Sequence, residues 1–131
     1  MLGLDTNVLV RFLVQDDQIQ FERAQKIIAR ESRTGGGVLI SLLVLLETEW
    51  VLRSRYSLAK MEILTAFSGL LASAELRFED EHSIESALFA WKDSPADFAD
   101  CLIGAHNRAL GCRATASFDA KAAKLPGFVA A

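Results

Sequence analysis

Short apolar segments that alternate with helical segments limit this chain of 131 residues to few folds. Strands are predicted at 2–4, 38–40, 76–78 and 113–117, with a final strand or tail from 126. Helices are predicted at 7–14, 16–31, 42–54, 58–72, 84–91, about 95–110 and 119–124. Ser41, Ser57 and Pro95 are the expected start signals of three of these helices. The alternation predicts an α/β fold with a mostly parallel sheet covered by helices on both faces.

Composition and charge exclude several classes of protein. The chain is 51% apolar and has no low-complexity segment, which predicts a single domain over residues 1–131. The longest apolar run, 38–46, is too short to span a bilayer, and the N-terminus lacks the basic region of a signal peptide. We therefore expect a cytoplasmic protein without a membrane partner. The acidic segment 79–81 is expected to be a solvated loop.

Cysteine and histidine offer no metal or redox motif. Cys101 and Cys112 are too far apart for a CxxC pair, and both are expected to be small buried hydrophobic residues. His82 and His106 have no ligand partners at metal-binding spacing and receive no role.

Two aspartates lie where a site is expected in an open parallel sheet, which is just beyond the carboxyl ends of strands. Asp5 follows the first predicted strand and Asp119 follows the fourth. Either could instead cap the helix that begins after it. If Asp5 is a metal ligand, Thr6 and Asn7 can orient it. Ser117 can hydrogen-bond a metal-bound water or a phosphate oxygen.

Glu47 lies in a helix with only apolar neighbours at i±3 and i±4, and a carboxylate is rarely tolerated on a buried face without a partner. Glu49 differs, because Arg53 lies at i+4 and can pair with it. We therefore interpret Glu47 as a ligand and Glu49 as structural. The alternative for Glu47 is a buried ion pair with a base distant in sequence.

Asp97 and Asp100 share one face of the next helix. With Ser94 as cap, Asp97 would occupy the acidic N3 position of a capping box, so it is a ligand, a water-mediated outer ligand or only a cap. Asp100, a turn further in, is expected to have no capping role and ranks above Asp97.

Four carboxylates brought together would require a cation. Two unit charges about 4 Å apart repel by roughly 4 kcal/mol at an effective dielectric of 20. Mg²⁺ or Mn²⁺ is the natural counter-ion for such oxygen ligands, which points to chemistry on phosphate esters. The net charge of −3 argues against non-specific nucleic-acid binding. If these four acids are left out, however, the chain has 13 acidic residues against 14 Lys and Arg, so the rest of the surface is not acidic. Eight basic residues of the first half are possible phosphate contacts, although a solvated helix face explains most of them: Arg11, Arg23, Lys26, Arg30, Arg33, Arg53, Arg55 and Lys60.

The sequence resembles the PIN-domain nucleases, and among them the VapC-type toxins of bacterial toxin–antitoxin pairs. The segments that carry the resemblance are 3–9, 45–52, 96–103 and 117–119 with 122–125. The resemblance covers essentially the whole chain in order. It implies a three-layer α/β/α sandwich with a central, mostly parallel sheet of four to five strands. It also implies that one or two Mg²⁺ or Mn²⁺ ions are surrounded by four acids, Asp5, Glu47, Asp100 and Asp119. Asp97 would support this group.

The same resemblance implies an endoribonuclease toxin. Its partners would be the RNA substrate, a second copy in a homodimer, and a cognate small antitoxin, with which it could form a hetero-oligomer. The antitoxin's C-terminal segment would block the active site and its N-terminal part would bind operator DNA. The ordered acids, without a Ser/His or Cys/His arrangement, favour hydrolysis by a metal-activated water.

Two other functions stay open. A catalytically degenerate PIN-like domain would only bind RNA or protein. A phosphotransfer domain would also carry a strand-end Asp, but the haloacid-dehalogenase pattern needs a second Asp where this chain has Asn7. A receiver domain needs adjacent acids and a late strand-end Lys, and neither is evident.

Overall fold

The computed structural model describes residues 1–131, and the backbone divides into two compact units, 1–79 and 80–131. The first unit contains the strands β1 (Leu2–Gly3), β2 (Val38–Ile40) and β3 (Leu76–Phe78) and the helices α1 (Thr6–Val14), α2 (Gln18–Thr34), α3 (Leu42–Ser54) and α4 (Lys60–Ala72). The second contains the helices α5 (Glu81–Lys92) and α6 (Phe98–Ala109), the strands β4 (Thr115–Ser117) and β5 (Phe128–Ala130), and a short 3-10 helix, Ala122–Lys124.

The first unit is built on a parallel sheet in the order β1-β2-β3. Val38 and Ile40 of the central strand point to the same face and are completely buried, whereas Leu39 between them is partly exposed. The helices add the other large buried side chains of this core: Leu9, Leu45, Leu52, Ile63 and Phe67. The chain passes from β1 through the buried Leu4 into α1, and from the largely buried β2 into α3.

The second unit joins the helix pair α5 and α6 to a two-stranded parallel ladder, β4 with β5. Trp91 of α5 and Phe98 of α6 pack with ring centroids 5.2 Å apart. Gly104 of α6 lies directly against the ring of Phe128, so a Cβ at this position would collide with that ring. A residue without a side chain is what allows β5 to approach α6 this closely.

The predicted α/β class with parallel strands is confirmed. The strands number five, within the predicted range, but their backbone hydrogen bonds form one ladder of three strands and one of two. None of the helices is both long enough and apolar enough to cross a membrane. The single-domain organisation stays a prediction.

Two predicted helix starts are wrong. Ser57 has a left-handed φ of 54° and does not cap α4; Ala59 precedes that helix instead, and the Glu62 side chain accepts a hydrogen bond from its N–H at 3.0 Å. Pro95 is not the first residue of α6, which begins at Phe98 after Asp97. In each case the helix begins a few residues later than its expected start signal, at Lys60 and at Phe98.

Segment 79–81 contains the exposed turn that its charge predicted, with Glu79 and Glu81 in solvent, but its side chains also hold neighbouring elements in place. The Oε1 of Glu79 accepts a hydrogen bond from the N–H of Leu42 at 2.9 Å, at the start of α3. Asp80 caps α5 by accepting from the N–H of Ser83 at 3.3 Å, and its Oδ2 lies 2.7 Å from Nδ1 of His106. His106, which received no role from the sequence, therefore joins α6 to the cap of α5.

The prediction for the two cysteines is half right. Cys101 is buried in α6, as expected of a small hydrophobic residue, whereas Cys112 is exposed. Cys112 follows Gly111 just beyond the end of α6, where the chain runs over the surface.

Removing the Asp80 cap is expected to destabilise the protein in a pH-dependent way. Burial acts to raise the pKa of Asp80, but hydrogen bonds with Ser83 and His106 outweigh it and the pKa is lowered. The stabilisation is therefore present above the ordinary value of 3.8 and is lost as the pH falls through the lowered folded-state value. Asp80→Ala also loses the cap and places a Cβ-bearing apolar residue at φ 53°, so we expect a cost of about 1–2 kcal/mol at pH 7.

Urea unfolding at pH 7 measures this cost, and Asp80→Asn is the matched control. Asn keeps the capping oxygen and tolerates the left-handed backbone, so only the charge is lost. If Asp80→Ala and Asp80→Asn unfold at the same urea concentration as the wild type, Asp80 does not hold α5 in the way described.

Candidate functional site

Asp5 and Glu47 line one cleft of about 280 Å³ in the first unit. Asp5 follows the buried Leu4 and caps α1, and its Oδ1 accepts a hydrogen bond from the N–H of Thr6 at 2.8 Å. Thr6 and Asn7 line the same cleft, so both lie beside the carboxylate that they were predicted to orient. Asp5 therefore has both the strand-end position and the capping role that the sequence allowed.

Glu47 lines this cleft, but the reason given for it from the sequence is wrong. Its apolar neighbours Leu43 and Trp50 are exposed, so this face of α3 faces solvent and Glu47 is exposed with it. Glu49 is the buried carboxylate of α3, with 3% of its surface exposed, and it pairs with Arg53 at 2.8 Å as predicted. Apolar neighbours in a helix do not establish burial, because much of a protein's surface is apolar.

Aromatic and basic side chains complete the wall of this cleft. Arg11 is held by other protein groups: its Nη1 donates to Asp16 at 2.9 Å and to the Tyr56 hydroxyl at 3.0 Å. Its hydrogen bond with Asp16 raises the pKa of Arg11. Trp50 and Tyr56 were not predicted as site residues; their aromatic character near Glu47 was the only signal in the sequence.

Asp97, Asp100 and Asp119 line one cleft of about 280 Å³ in the second unit, together with Ala120 and Lys121. Asp97 is the N-cap of α6 and not its N3 residue, and its carboxylate makes no capping hydrogen bond. Asp100 occupies N3 instead, in the first turn, and accepts a hydrogen bond from the backbone of Asp97. The capping explanation for Asp97 therefore fails, and Asp100 has the capping role that the sequence did not give it.

Asp119 is fixed by the backbone that follows it. Its Oδ1 accepts hydrogen bonds from the N–H groups of Lys121 at 2.8 Å and Ala122 at 2.9 Å. Its own N–H donates to the Oγ of Ser117 at 3.0 Å. Ser117 thus orients Asp119, while its predicted contact with a water or phosphate stays a prediction.

The charges of this second group interact. Burial raises the pKa of Asp100, and the negative charges of Asp97 and Asp119 raise it further. The hydrogen bond from the Asp97 backbone lowers it and offsets part of the effect. The three carboxylates are therefore close enough to repel one another, which is the condition under which a cation would stabilise them.

The donor chemistry of both groups is that of hard carboxylate oxygens, which fits Mg²⁺ or Mn²⁺. No three or more His, Cys, Asp and Glu side chains are arranged so that they could hold a metal ion. The structure brings the five predicted acids together as two groups, Asp5 with Glu47 and Asp97 with Asp100 and Asp119. A single site formed by Asp5, Glu47, Asp100 and Asp119 stays a prediction.

Comparison with known proteins identifies the family. No curated protein matches the chain. Residues 3–127 match the PIN domain, and the match includes every acid discussed above. It therefore covers far more than half of the sequence. The chain belongs to the PIN-domain family, whose members are in general metal-dependent nucleases.

Proposed function

We propose that this protein is a metal-dependent endoribonuclease and the toxin component of a toxin–antitoxin pair. Membership of the PIN-domain family supports nuclease activity in general. The observation that carries the proposal is the second cleft, which is lined by Asp97, Asp100 and Asp119 and where burial, together with the charges of Asp97 and Asp119, raises the pKa of Asp100. Repelling carboxylates at helix starts form an arrangement that destabilises the free protein slightly and favours a divalent cation.

The residues proposed to hold the cation are those predicted from the sequence: Asp5, Glu47, Asp97, Asp100 and Asp119. A bound Mg²⁺ or Mn²⁺ would supply an activated water and would stabilise the negative charge that develops on the scissile phosphate. The chain's own residues would hold the cation in place and accept a proton from the water. Thr6, through its N–H, orients Asp5, and the N–H groups of Lys121 and Ala122 orient Asp119.

Asp100 is proposed to accept the proton of the attacking water. Burial, followed by the negative charges of Asp97 and Asp119, raises the pKa of Asp100, and a carboxylate with a raised pKa is a better proton acceptor. The Asp97 backbone holds it by a hydrogen bond, so the accepting carboxylate is fixed in orientation. Hydrolysis would cleave a P–O bond of the RNA backbone, and the water would provide the new phosphate oxygen.

A homodimer and a cognate small antitoxin are proposed as partners. The exposed side chains Leu43 and Trp50 flank the carboxylate of Glu47 on α3. An antitoxin segment with Arg or Lys and an aromatic anchor would match this combination of charge and apolar surface.

Expression of the wild type beside Asp5→Asn tests the function. We expect growth arrest and RNA fragments with the wild type only. The variant should still fold, because Asn keeps the capping oxygen, but it loses the negative charge that would hold the cation. The purified wild type should cleave RNA in the presence of Mg²⁺ and should not cleave it in excess EDTA. Asp93→Asn, an exposed acid that lines neither cleft, is the control and should cleave like the wild type.

Full cleavage by Asp5→Asn, or by the wild type in excess EDTA, would contradict the proposal. Metal binding without cleavage of any RNA would support the catalytically degenerate domain instead.

A further inference from the structure

We propose that Trp50 and Arg55 form a nucleotide-binding wall in the cleft of Asp5 and Glu47. One base of a single-stranded RNA stacks on the Trp50 indole, and an adjacent phosphate contacts the Arg55 guanidinium. The inference rests on the proposed nuclease function and states which residues of this chain hold the substrate near the acids.

The side chain of Trp50 is half exposed to solvent, although tryptophan side chains are highly buried on average. It lies in α3 three residues after Glu47, lines the cleft, and has 50% of its surface exposed. By contrast Trp91, the other tryptophan, has 4% exposed in the core of the second unit. An exposed aromatic face beside a charged cleft is the arrangement on which single-stranded nucleic acids stack, because every base has a π-face.

Arg55 is the basic residue of this wall that is available to a ligand. Its backbone N–H donates to the carbonyl of Val51 at 2.9 Å, which fixes its position at the end of α3. Its side chain is exposed and makes no hydrogen bond or ion pair. Arg11, the other arginine of the cleft, is already bound to Asp16 and Tyr56.

The size and charge of the cleft fit one nucleotide. Its volume of about 280 Å³ lies just below the range for drug-sized ligand sites, roughly 300–1,000 Å³, so it can hold one small group at most. The two carboxylates and the free guanidinium line the same cleft, so a phosphate held by Arg55 lies beside the proposed metal ligands. An indole face with an unpaired arginine fits a base and its adjacent phosphate, whereas the basic antitoxin segment proposed above would pair with Glu47 and would leave this arginine without a partner.

Trp50 fluorescence provides a direct readout of base stacking. The probe is a short single-stranded RNA of mixed sequence, titrated in EDTA so that binding is measured without cleavage. We expect quenching, and because Trp91 is buried the change reports Trp50. Because Trp50→Leu removes the reporting indole, its affinity is measured by the fluorescence anisotropy of an end-labelled copy of the same RNA, and binding should be at least about fivefold weaker, as loss of one stacked base requires. Phe89→Leu, at an exposed aromatic of α5, is the control and should leave affinity unchanged.

The salt dependence of binding isolates the Arg55 contact. Loss of one phosphate contact to a single strand should make the slope of log K against log salt concentration shallower by about 0.7 in Arg55→Ala. Arg77→Ala, at an exposed arginine of β3 outside the cleft, should keep the wild-type slope. Thermal unfolding of each variant verifies that it is folded.

Absence of quenching, equal affinity of folded Trp50→Leu, or an unchanged slope in folded Arg55→Ala would each overturn the inference. Quenching by a basic peptide but not by RNA would overturn it in favour of a protein ligand. If these binding changes occur but no RNA is cleaved with Mg²⁺, the nuclease function fails and the binding wall stands. If RNA is cleaved but the variants bind normally, the nuclease function stands and the binding wall fails.

Discussion

Asp100→Asn is expected to abolish RNA cleavage and, at the same time, to stabilise the folded protein at neutral pH. The loss of the proposed proton acceptor should reduce the cleavage rate at least about a hundredfold. The stabilisation follows from the pKa of Asp100, which burial, Asp97 and Asp119 raise above its ordinary value of 3.8. An amide keeps an oxygen for the Asp97 N–H but carries no charge to be repelled.

The raised pKa of Asp100 determines how the stability of the folded protein changes with pH. Between the ordinary value and the raised folded-state value, the folded protein binds more protons than the unfolded chain, so stability falls as the pH rises. The destabilisation is fully present above the folded-state pKa and absent below 3.8. At pH 7 the gain of Asp100→Asn should be below about 1 kcal/mol, because these charges are partly solvated.

Urea unfolding in EDTA at several pH values measures the stability, and cleavage of RNA with Mg²⁺ measures the activity. The advantage of Asp100→Asn should shrink as the pH is lowered towards 4. Asp93→Asn should change neither quantity. A variant that cleaves RNA normally would contradict the catalytic role, and one that is less stable than the wild type at pH 7 would contradict the electrostatic account.

Arg53→Met is expected to cost about 3 kcal/mol of unfolding free energy, and Glu49→Gln far less. The two side chains form one ion pair at 2.8 Å but are not equally buried: the Glu49 side chain has 4% of its surface exposed and Arg53 has 51%. Removing Arg53 leaves a carboxylate in the core without its partner, whereas removing the charge of Glu49 leaves an arginine that water can reach.

A double-mutant cycle in urea measures this asymmetry. The double variant Glu49→Gln with Arg53→Met should recover part of the stability that Arg53→Met loses, because the buried charge is gone. Arg33→Met, an exposed arginine of α2, is the control and should stay within about 0.5 kcal/mol of the wild type. Equal losses for Glu49→Gln and Arg53→Met would show that burial of Glu49 does not set the cost.

Features that depend on local sequence were predictable. Short apolar segments gave the parallel strands, Ser41 was identified as the cap of α3, and the i, i+4 spacing identified the pair of Glu49 with Arg53. The strand-end positions of Asp5 and Asp119 also follow from local pattern, since each lies just after a strand and bonds to the backbone that follows.

Features that depend on tertiary contacts were not predictable. Asp80 caps α5 through the nearby N–H of Ser83, but its carboxylate also contacts His106, which is 26 residues away. Glu79 is tied to the N–H of Leu42, 37 residues away. The exposure of Glu47 depends on which face of α3 meets the core, and a helix with apolar residues on several sides leaves that choice to packing.

Backbone N–H groups hold three of the site acids in place: Asp5 at the start of α1, Asp100 in the first turn of α6, and Asp119 before the 3-10 helix. These bonds form as the helices form, so the geometry of the carboxylates is fixed by folding itself. Under the proposed function a cation would bind to a protein that is already folded, which is the reverse of the order in zinc fingers, which stay unfolded until the metal arrives. The supply of divalent cations would then control how many molecules are active while leaving unchanged how many are folded.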